Sequence, residues 1–225
     1  MNAEIMNEDD ENYCRIAYSF PKQVIFLDIE TTGFKYYDYI TCIGWIYGGK
    51  YHYWLQGLNQ RKFINTFKQA KLLVTFNGRS FDCKFLNKAF HTEIFTAKAH
   101  LDLMWMCKRL GFREGQKNIE DIAGFKRHPA LDGLNGRFAA ESWDAFMNGE
   151  NSRLKLLIAY NFYDVLGMTH ILDWCAHKVS DSQKYFRYDD EKLMRKIVLP
   201  TSDECEKIRV YVQRKHSKNA GSKFL

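Results

Sequence analysis

The stretch that most constrains this chain is Val24–Gly33, where an apolar run leads into two acids separated by one residue. The run from Val24 is typical of a buried strand, which we predict over about residues 23–29. Because successive side chains of a strand point to opposite faces, Asp28 and Glu30 point the same way. Two like charges at the end of a buried strand repel each other, and a cation between them would remove that cost. The stretch favours a metal-dependent phosphoryl-transfer site, although a strand that ends in solvated acids would show the same sequence pattern.

Composition limits the class of protein. A chain of 225 residues with 46% hydrophobic and 16% aromatic content can bury the core of one ordinary domain, which excludes a disordered chain. No apolar run reaches the length of a membrane-spanning helix, so we expect no membrane association. The start, Met1–Asn12, carries acids and no bases, unlike a secretory signal. We therefore expect a cytoplasmic protein, with a monomer favoured.

The spacing of the cysteines indicates the redox compartment, and the distribution of charge indicates the kind of partner. The six cysteines show no zinc-like CxxC pair, which predicts free, mainly buried thiols in a reducing compartment. The net charge of +6 is uneven, since residues 177–225 carry twelve Lys and Arg against seven Asp and Glu. A basic balance weakly favours a polyanionic partner such as nucleic acid.

The order of elements predicts an α/β fold: a mixed five-stranded sheet, with an antiparallel hairpin and parallel strands, flanked by helices. We predict an acidic lead-in at 1–20, mobile at its start, one domain at 21–176, and a basic extension at 177–225. The predicted strands are 23–29, 40–47, 51–55, 71–76 and 100–103, and the predicted helices are 60–70, one from about residue 80, 103–110, 118–123, 141–147 and 151–175, with a loop at 125–140.

Further acids lie where strands and helices could bring them to the first two. Asp82 falls in the first turn of a helix, where its carboxylate could also be a simple partner of the helix dipole. Asp164 lies in an apolar helix and shares a face with Tyr160, four residues earlier; an exposed position on that helix is the alternative. We assign Asp102 to capping the next helix rather than to a metal.

Taken together, these segments resemble a known family. The "DxE", "NGxxFD" and "YxxxD" patterns resemble the three motifs of the DEDD, or DnaQ-like, 3′–5′ exonucleases, which have a ribonuclease H-like fold. The resemblance is to the tyrosine subclass, since Tyr160 precedes Asp164 by four residues. Within that superfamily the chain looks most like the YprB-like ribonuclease H-like domains, over about residues 21–176. The matching segments are 26–33, 74–82, 100–103 and 160–165.

The resemblance implies 3′–5′ hydrolysis of a phosphodiester with two divalent metals, Mg²⁺ or Mn²⁺. The implied ligands are all carboxylates, which suit these ions: Asp28, Glu30, Asp82 and Asp164. Tyr160 would orient the attacking water. The partner would be the 3′ end of DNA or RNA, held by substrate-binding residues at Thr31, Thr32, Asn77 and Phe81, although a phenylalanine in this position is more often part of the core.

Other readings remain open at the level of sequence. The chain could be a non-catalytic nucleic-acid-binding module, an endonuclease on the same fold, or an oligonucleotidase acting on short substrates. The tail could be a solvated terminus or a basic arm that follows the substrate backbone. Within the tail we predict short strands at Ile197–Pro200 and Ile208–Val212.

Overall fold

A mixed sheet forms the centre of the molecule. The computed structural model describes residues 8–35, 37–179, 186 and 188–221, and these form a five-stranded sheet in the order β3-β2-β1-β4-β5. The first three strands along the chain pair antiparallel, and β1, β4 and β5 pair parallel. This confirms the predicted fold class. The strands are β1 Val24–Thr31, β2 Ile40–Tyr47, β3 Lys50–Leu55, β4 Leu72–Thr75 and β5 His100–Asp102.

Helices cover both faces of this sheet. One face carries α2 and α3 over a smaller core cluster, and the long helix α8 lies across β1 and β2 on the other. The helices are α1 Glu8–Ser19, α2 Arg61–Gln69, α3 Asp82–Phe90, α4 Ile94–Ala97, α5 Leu103–Arg109, α6 Gln116–Ile122, α7 Gly136–Met147, α8 Asn151–Val179, α9 Asp190–Met194 and α10 Ser202–Gly221.

The alternation of β1 decides which face the acids share. Ile25 and Leu27 belong to the smaller cluster under α2 and α3. Val24 and Phe26 belong to the larger cluster that includes α8. Asp28 and Glu30 continue the even-numbered set, so their side chains lie on the face covered by α8. The strand runs to Thr31, two residues beyond the predicted end, which places Glu30 as well as Asp28 inside the strand.

The N-terminal segment is helical where the structure describes it. Helix α1 occupies Glu8–Ser19, and Cys14 and Ala17 are buried in the larger core cluster. The expected mobility at the very start of the chain concerns residues that lie outside those described. All six cysteines are free and buried, which confirms the predicted free thiols.

Two predictions about local structure are wrong. The loop at 125–140 gives way to α7 at Gly136, because the Asn135 side chain accepts a hydrogen bond from the Arg137 amide and caps the helix early. The tail strands are absent from the described residues: 197–200 has no regular structure, and Ile208–Val212 lies within α10. Ile208 and Val212, four residues apart, share one buried face of that helix, which is helical rather than strand spacing.

No helix among the described residues is both long and apolar enough to cross a membrane.

Candidate metal centre

Three carboxylates from β1 and α8 meet on one face of the sheet. Oxygen atoms of Asp28, Glu30 and Asp164 all lie within 4.8 Å of one another, with Glu30 and Asp164 buried. Burial raises the pKa of both Asp28 and Glu30 well above the usual range, and the neighbouring carboxylates raise it further. It is therefore unfavourable for these carboxylates to be ionised at the same time. The cluster therefore has the oxygen donors and the excess negative charge that suit a hard divalent cation.

A neutral amide stabilises the two acids of the strand. Asn161 on α8 donates from Nδ2 to Asp28 Oδ2 at 2.8 Å and to Glu30 Oε1 at 3.3 Å. Its own Oδ1 accepts from the Tyr51 hydroxyl at 2.9 Å. The close fit needs a glycine opposite, since a Cβ on Gly44 would lie 1.6 Å from Asn161 Oδ1. Strand β2 thus supplies the space in which α8 reaches the acids.

Asp82 is the first residue of α3, and its side chain contacts strand β1. Its position in the first turn of the helix is as predicted. Its Oδ1 accepts a hydrogen bond from the Ile29 amide at 3.1 Å. Burial is the main cause that raises the pKa of Asp82 to about 7. Its charge in turn raises the pKa of Asp28. Asp82 lies beside the three-carboxylate cluster rather than within it.

Asp164 is held by an ion-paired network that the sequence analysis missed. Arg127 donates from Nη2 to Asp164 Oδ1 at 2.5 Å, and from Nε and Nη2 to the two oxygens of Glu120 at 2.6 and 2.7 Å. Gln116 on α6 donates to Glu120 Oε1 and to the backbone oxygen of Asp164. Although burial opposes its charge, these carboxylates raise the pKa of Arg127 above its usual range.

Tyr160 lies one turn before Asp164 and receives a hydrogen bond from a lysine. Lys117 Nζ donates to the Tyr160 hydroxyl oxygen at 2.9 Å and also to the Leu134 carbonyl. Burial raises the pKa of Tyr160 and lowers the pKa of Lys117. The phenol is therefore held neutral, with its own proton available to a further acceptor.

Asp102 performs the capping role predicted for it and a second one. Its carboxylate accepts from the Met104 amide at the start of α5. It also accepts from the amides of Asn77 and Arg79, at 2.7 and 3.0 Å. Asn77 has a positive φ of 65°, and a Cβ on Gly78 would lie 2.3 Å from Thr75 Oγ1, so the turn requires its Asn-Gly pair. Asp102 thus shapes the turn that leads to Asp82.

The two threonines expected at the substrate have internal hydrogen bonds. The Thr31 hydroxyl donates to the Gly33 carbonyl at 2.6 Å. The Thr32 hydroxyl donates to Asp38 Oδ1 at 3.0 Å and accepts from the Tyr39 amide. Both hydroxyls therefore shape the loop after β1.

Phe81 is half-buried and belongs to a small aromatic cluster. Its ring lies 5.7 Å from Phe34 and 4.7 Å from Phe85, between ring centres. Phe34 is 81% exposed and extends this cluster to the surface. Phe34 comes shortly after Glu30 at the end of β1, and Phe81 directly precedes Asp82 at the start of α3. Both aromatic residues are therefore close to an acid in sequence.

Comparison with known proteins identifies the family. A family model described as the RNase H superfamily matches residues 25–176. The chain is similar in structure to the family B DNA polymerase from the hyperthermophilic archaeon Pyrobaculum calidifontis, with a TM-score of 0.53 and 15% sequence identity. The similarity covers 69% of this chain but only 24% of that polymerase, so it concerns the fold. The comparison with curated proteins found no match.

The fold and the family match define the class of protein: a ribonuclease H-like domain with three clustered carboxylates on one face of its sheet. The chain belongs to the RNase H superfamily.

Proposed function

We propose that the protein is a metal-dependent 3′–5′ exonuclease of the DEDD type, tyrosine subclass, that hydrolyses phosphodiester bonds of nucleic acid. The observation that carries this proposal is the convergence of Asp28, Glu30 and Asp164 within 4.8 Å. Three carboxylates crowded together in this way are costly unless a cation joins them. The polarity of hydrolysis and the YprB-like subclass rest on the resemblance of the sequence motifs.

The oxygen donors suit Mg²⁺ or Mn²⁺. The proposal places two such ions in each site, as the motif resemblance implies. Asp28, Glu30 and Asp164 would be ligands, and Asp82 would complete the set from the start of α3. When bound, such ions act as Lewis acids on a phosphoryl oxygen and make a water molecule nucleophilic near neutral pH.

The side chains around the acids have separate tasks in this proposal. Asn161 keeps the two carboxylates of β1 at a fixed spacing through its amide. Tyr160 orients the attacking water with its hydroxyl, whose oxygen Lys117 fixes. Because burial raises the pKa of Tyr160, the phenol keeps its proton and donates to the water rather than removing a proton from it.

The substrate would enter over the loop after β1 and the start of α3. Phe81, extended by the exposed Phe34, offers a stacking surface for a base. Asn77, Thr31 and Thr32 would hold the terminal nucleotides, the threonines through the loop that their hydroxyls shape. The catalytic domain in this proposal spans 21–176.

A substrate panel tests the function. Purified protein is incubated with 5′-labelled single- and double-stranded DNA and RNA, in Mg²⁺, in Mn²⁺ and in EDTA. We expect a ladder of products shortened from the 3′ end, lost with EDTA and lost when the 3′ end is blocked. Cleavage of a circular substrate would indicate an endonuclease, and activity only on the shortest members of a length series would indicate an oligonucleotidase.

A variant pair ties the activity to the site. Asp28→Asn and Asp164→Asn should abolish hydrolysis and melt near the wild-type temperature, since each asparagine keeps an acceptor oxygen. Asp121→Asn, whose partner Lys126 is exposed, is the matched control and should be active. Full activity in Asp28→Asn would exclude the assigned centre. Binding of nucleic acid without cleavage under every condition would favour the non-catalytic module.

A further inference from the structure

The ion pair between Glu120 and Arg127 is unusually enclosed for a charged pair. The side chains of Glu120 and Arg127 are only 2% and 9% exposed, and that of Asp164 is 12% exposed. Burying such charges is costly, and similar buried pairs can be replaced by apolar residues without loss of stability. Stability is therefore a weak reason for this network, and its hydrogen bond to Asp164 offers a stronger one.

The bonding pattern fixes the orientation of the arginine. The Glu120 carboxylate accepts hydrogen bonds from Nε and Nη2 of Arg127, which lie along one edge of the planar guanidinium. The remaining proton of Nη2 then points along the adjacent edge, where Asp164 Oδ1 accepts it. A lysine could supply the charge but not this two-edged geometry.

A glycine on helix α8 leaves the space that the Glu120 side chain occupies. A Cβ on Gly167 would lie 2.0 Å from Glu120 Oε1 and 2.5 Å from its Cδ. A glycine inside a helix is less favourable than alanine, so its presence here has a cost that the close approach of Glu120 explains. It lies three residues after Asp164, which places Glu120 against α8 beside the acid. Gln116 adds a bond from the same helix α6 to Glu120 and to the Asp164 backbone.

The arginine is not fully paired. Nη1 of Arg127 is buried and has no hydrogen-bond partner among the described residues. An unpaired buried donor lowers stability. The unpaired Nη1, the glycine at position 167 and the buried charges each lower stability. We therefore interpret the arrangement as one that fixes the position of the Asp164 carboxylate at a cost in stability.

We infer that Glu120 and Arg127 are positioning residues of the metal centre: Glu120 orients Arg127, and Arg127 holds Asp164 in the direction that a divalent cation requires. This inference rests on the proposed function only in taking Asp164 as a ligand. Partners behind a ligand commonly set metal affinity, and their removal weakens it about 10–100-fold.

The test measures binding of Mn²⁺ alone, by calorimetric titration of the metal-free protein. Glu120→Gln and Arg127→Lys should each bind Mn²⁺ about 10–100-fold more weakly than wild type. Asp121→Asn, in the same helix with an exposed ion pair, should bind like wild type. Raising Mn²⁺ should restore turnover in Arg127→Lys, because its defect lies in metal occupancy and not in substrate binding.

Gly167→Ala provides a second route if the charge variants fold poorly. It displaces Glu120 by its methyl group, leaves every charge in place, and should weaken Mn²⁺ binding in the same direction. Folded variants that bind Mn²⁺ within about twofold of wild type would overturn the inference. A wild type that binds Mn²⁺ without cleaving nucleic acid would overturn the proposed function alone, and a wild type that binds no Mn²⁺ would overturn both.

Discussion

Asn161 shows how one neutral side chain can hold two carboxylates that share a face of a strand. The sequence reveals the acids, because alternation places Asp28 and Glu30 together. It does not reveal the amide, since its partners lie 133 and 131 positions away and its neighbours on α8 are apolar. An asparagine among the apolar residues of this helix is the one sequence signal that could have drawn attention to it, and the structure shows that it is fully buried.

The hydroxyl of Tyr160 can be tested without disturbing its packing. Tyr160→Phe keeps the ring contact with Phe138 and removes the group that would orient the water. We expect turnover to fall about 10–100-fold, the effect of one charge-assisted hydrogen bond, with Mn²⁺ binding largely retained. Tyr163→Phe, on the same helix but outside the centre, should leave turnover unchanged. Wild-type turnover in Tyr160→Phe would remove Tyr160 from the mechanism.

Asp82 should make the metal-free protein less stable as pH rises. Its pKa of about 7 in the folded chain exceeds the ordinary value of 3.8. Between those values the folded state holds a proton that the unfolded state has released, so the free energy of unfolding falls as pH increases. The raised pKa values of Asp28 and Glu30 act in the same direction.

Thermal melts in EDTA, from about pH 5 to about pH 8, measure this effect. The wild-type melting temperature should fall over that range, and Asp82→Asn, which cannot titrate, should show a smaller fall. The asparagine can still accept the Ile29 amide, so the comparison isolates the proton. An equal slope in both proteins would show that Asp82 does not titrate in this window.

Elements whose residues pack by a simple period are the most predictable. The strands and α8 follow the expected spacing, whereas α7 begins at Gly136, ahead of its predicted start at Glu141, because of the cap at Asn135. The strand predicted within α10 is wrong because Ile208–Val212 is rich in β-branched residues, a preference that burial on a helix face overrides.

Strand β2 should be as sensitive to substitution as the three clustered acids. Gly44→Ala forces a methyl group into the position of Asn161 Oδ1 and within 2.8 Å of the Tyr51 hydroxyl. We expect the free energy of unfolding to fall by about 1–3 kcal/mol, as in overpacked cores, together with loss of hydrolysis.

Gly136→Ala is the control for that variant. Gly136 starts α7 with open space around its Cα, so alanine should leave activity unchanged and stability equal or higher. Denaturant unfolding and the nuclease assay give the two values. A Gly44→Ala protein as stable and active as wild type would mean that Asn161 is not tightly held.

At the scale of the whole molecule, the mixed five-stranded sheet and the meeting of Asp28, Glu30 and Asp164 were accessible from sequence, through periodicity and through motif resemblance. The segment 116–127 was not, because nothing in its pattern indicates that Gln116, Lys117, Glu120 and Arg127 face α8. Their positions depend on how the short helix α6 packs against α8, which no local sequence pattern determines.

The basic tail can be tested only with point changes. Ile208 and Val212 are buried in the core, so deleting α10 would remove part of that core. Arg214 and Lys215 are exposed on its described part, and changing both to Gln should flatten the salt dependence of single-strand affinity. The log–log slope should change by about 0.7 for each phosphate that the tail no longer neutralises. Lys22→Gln is the control. An unchanged slope would support a solvated terminus.

The hydrogen bond from Asn161 to Asp28 closes a loop of 133 residues. Such closure is slow, and the two strand acids lack their amide until α8 has docked. We therefore expect the centre to form after the folding barrier. A divalent cation would then slow unfolding and leave the folding rate unchanged. Stopped-flow mixing with and without Mn²⁺ measures both rates, and faster folding in Mn²⁺ would place the centre in the folding nucleus.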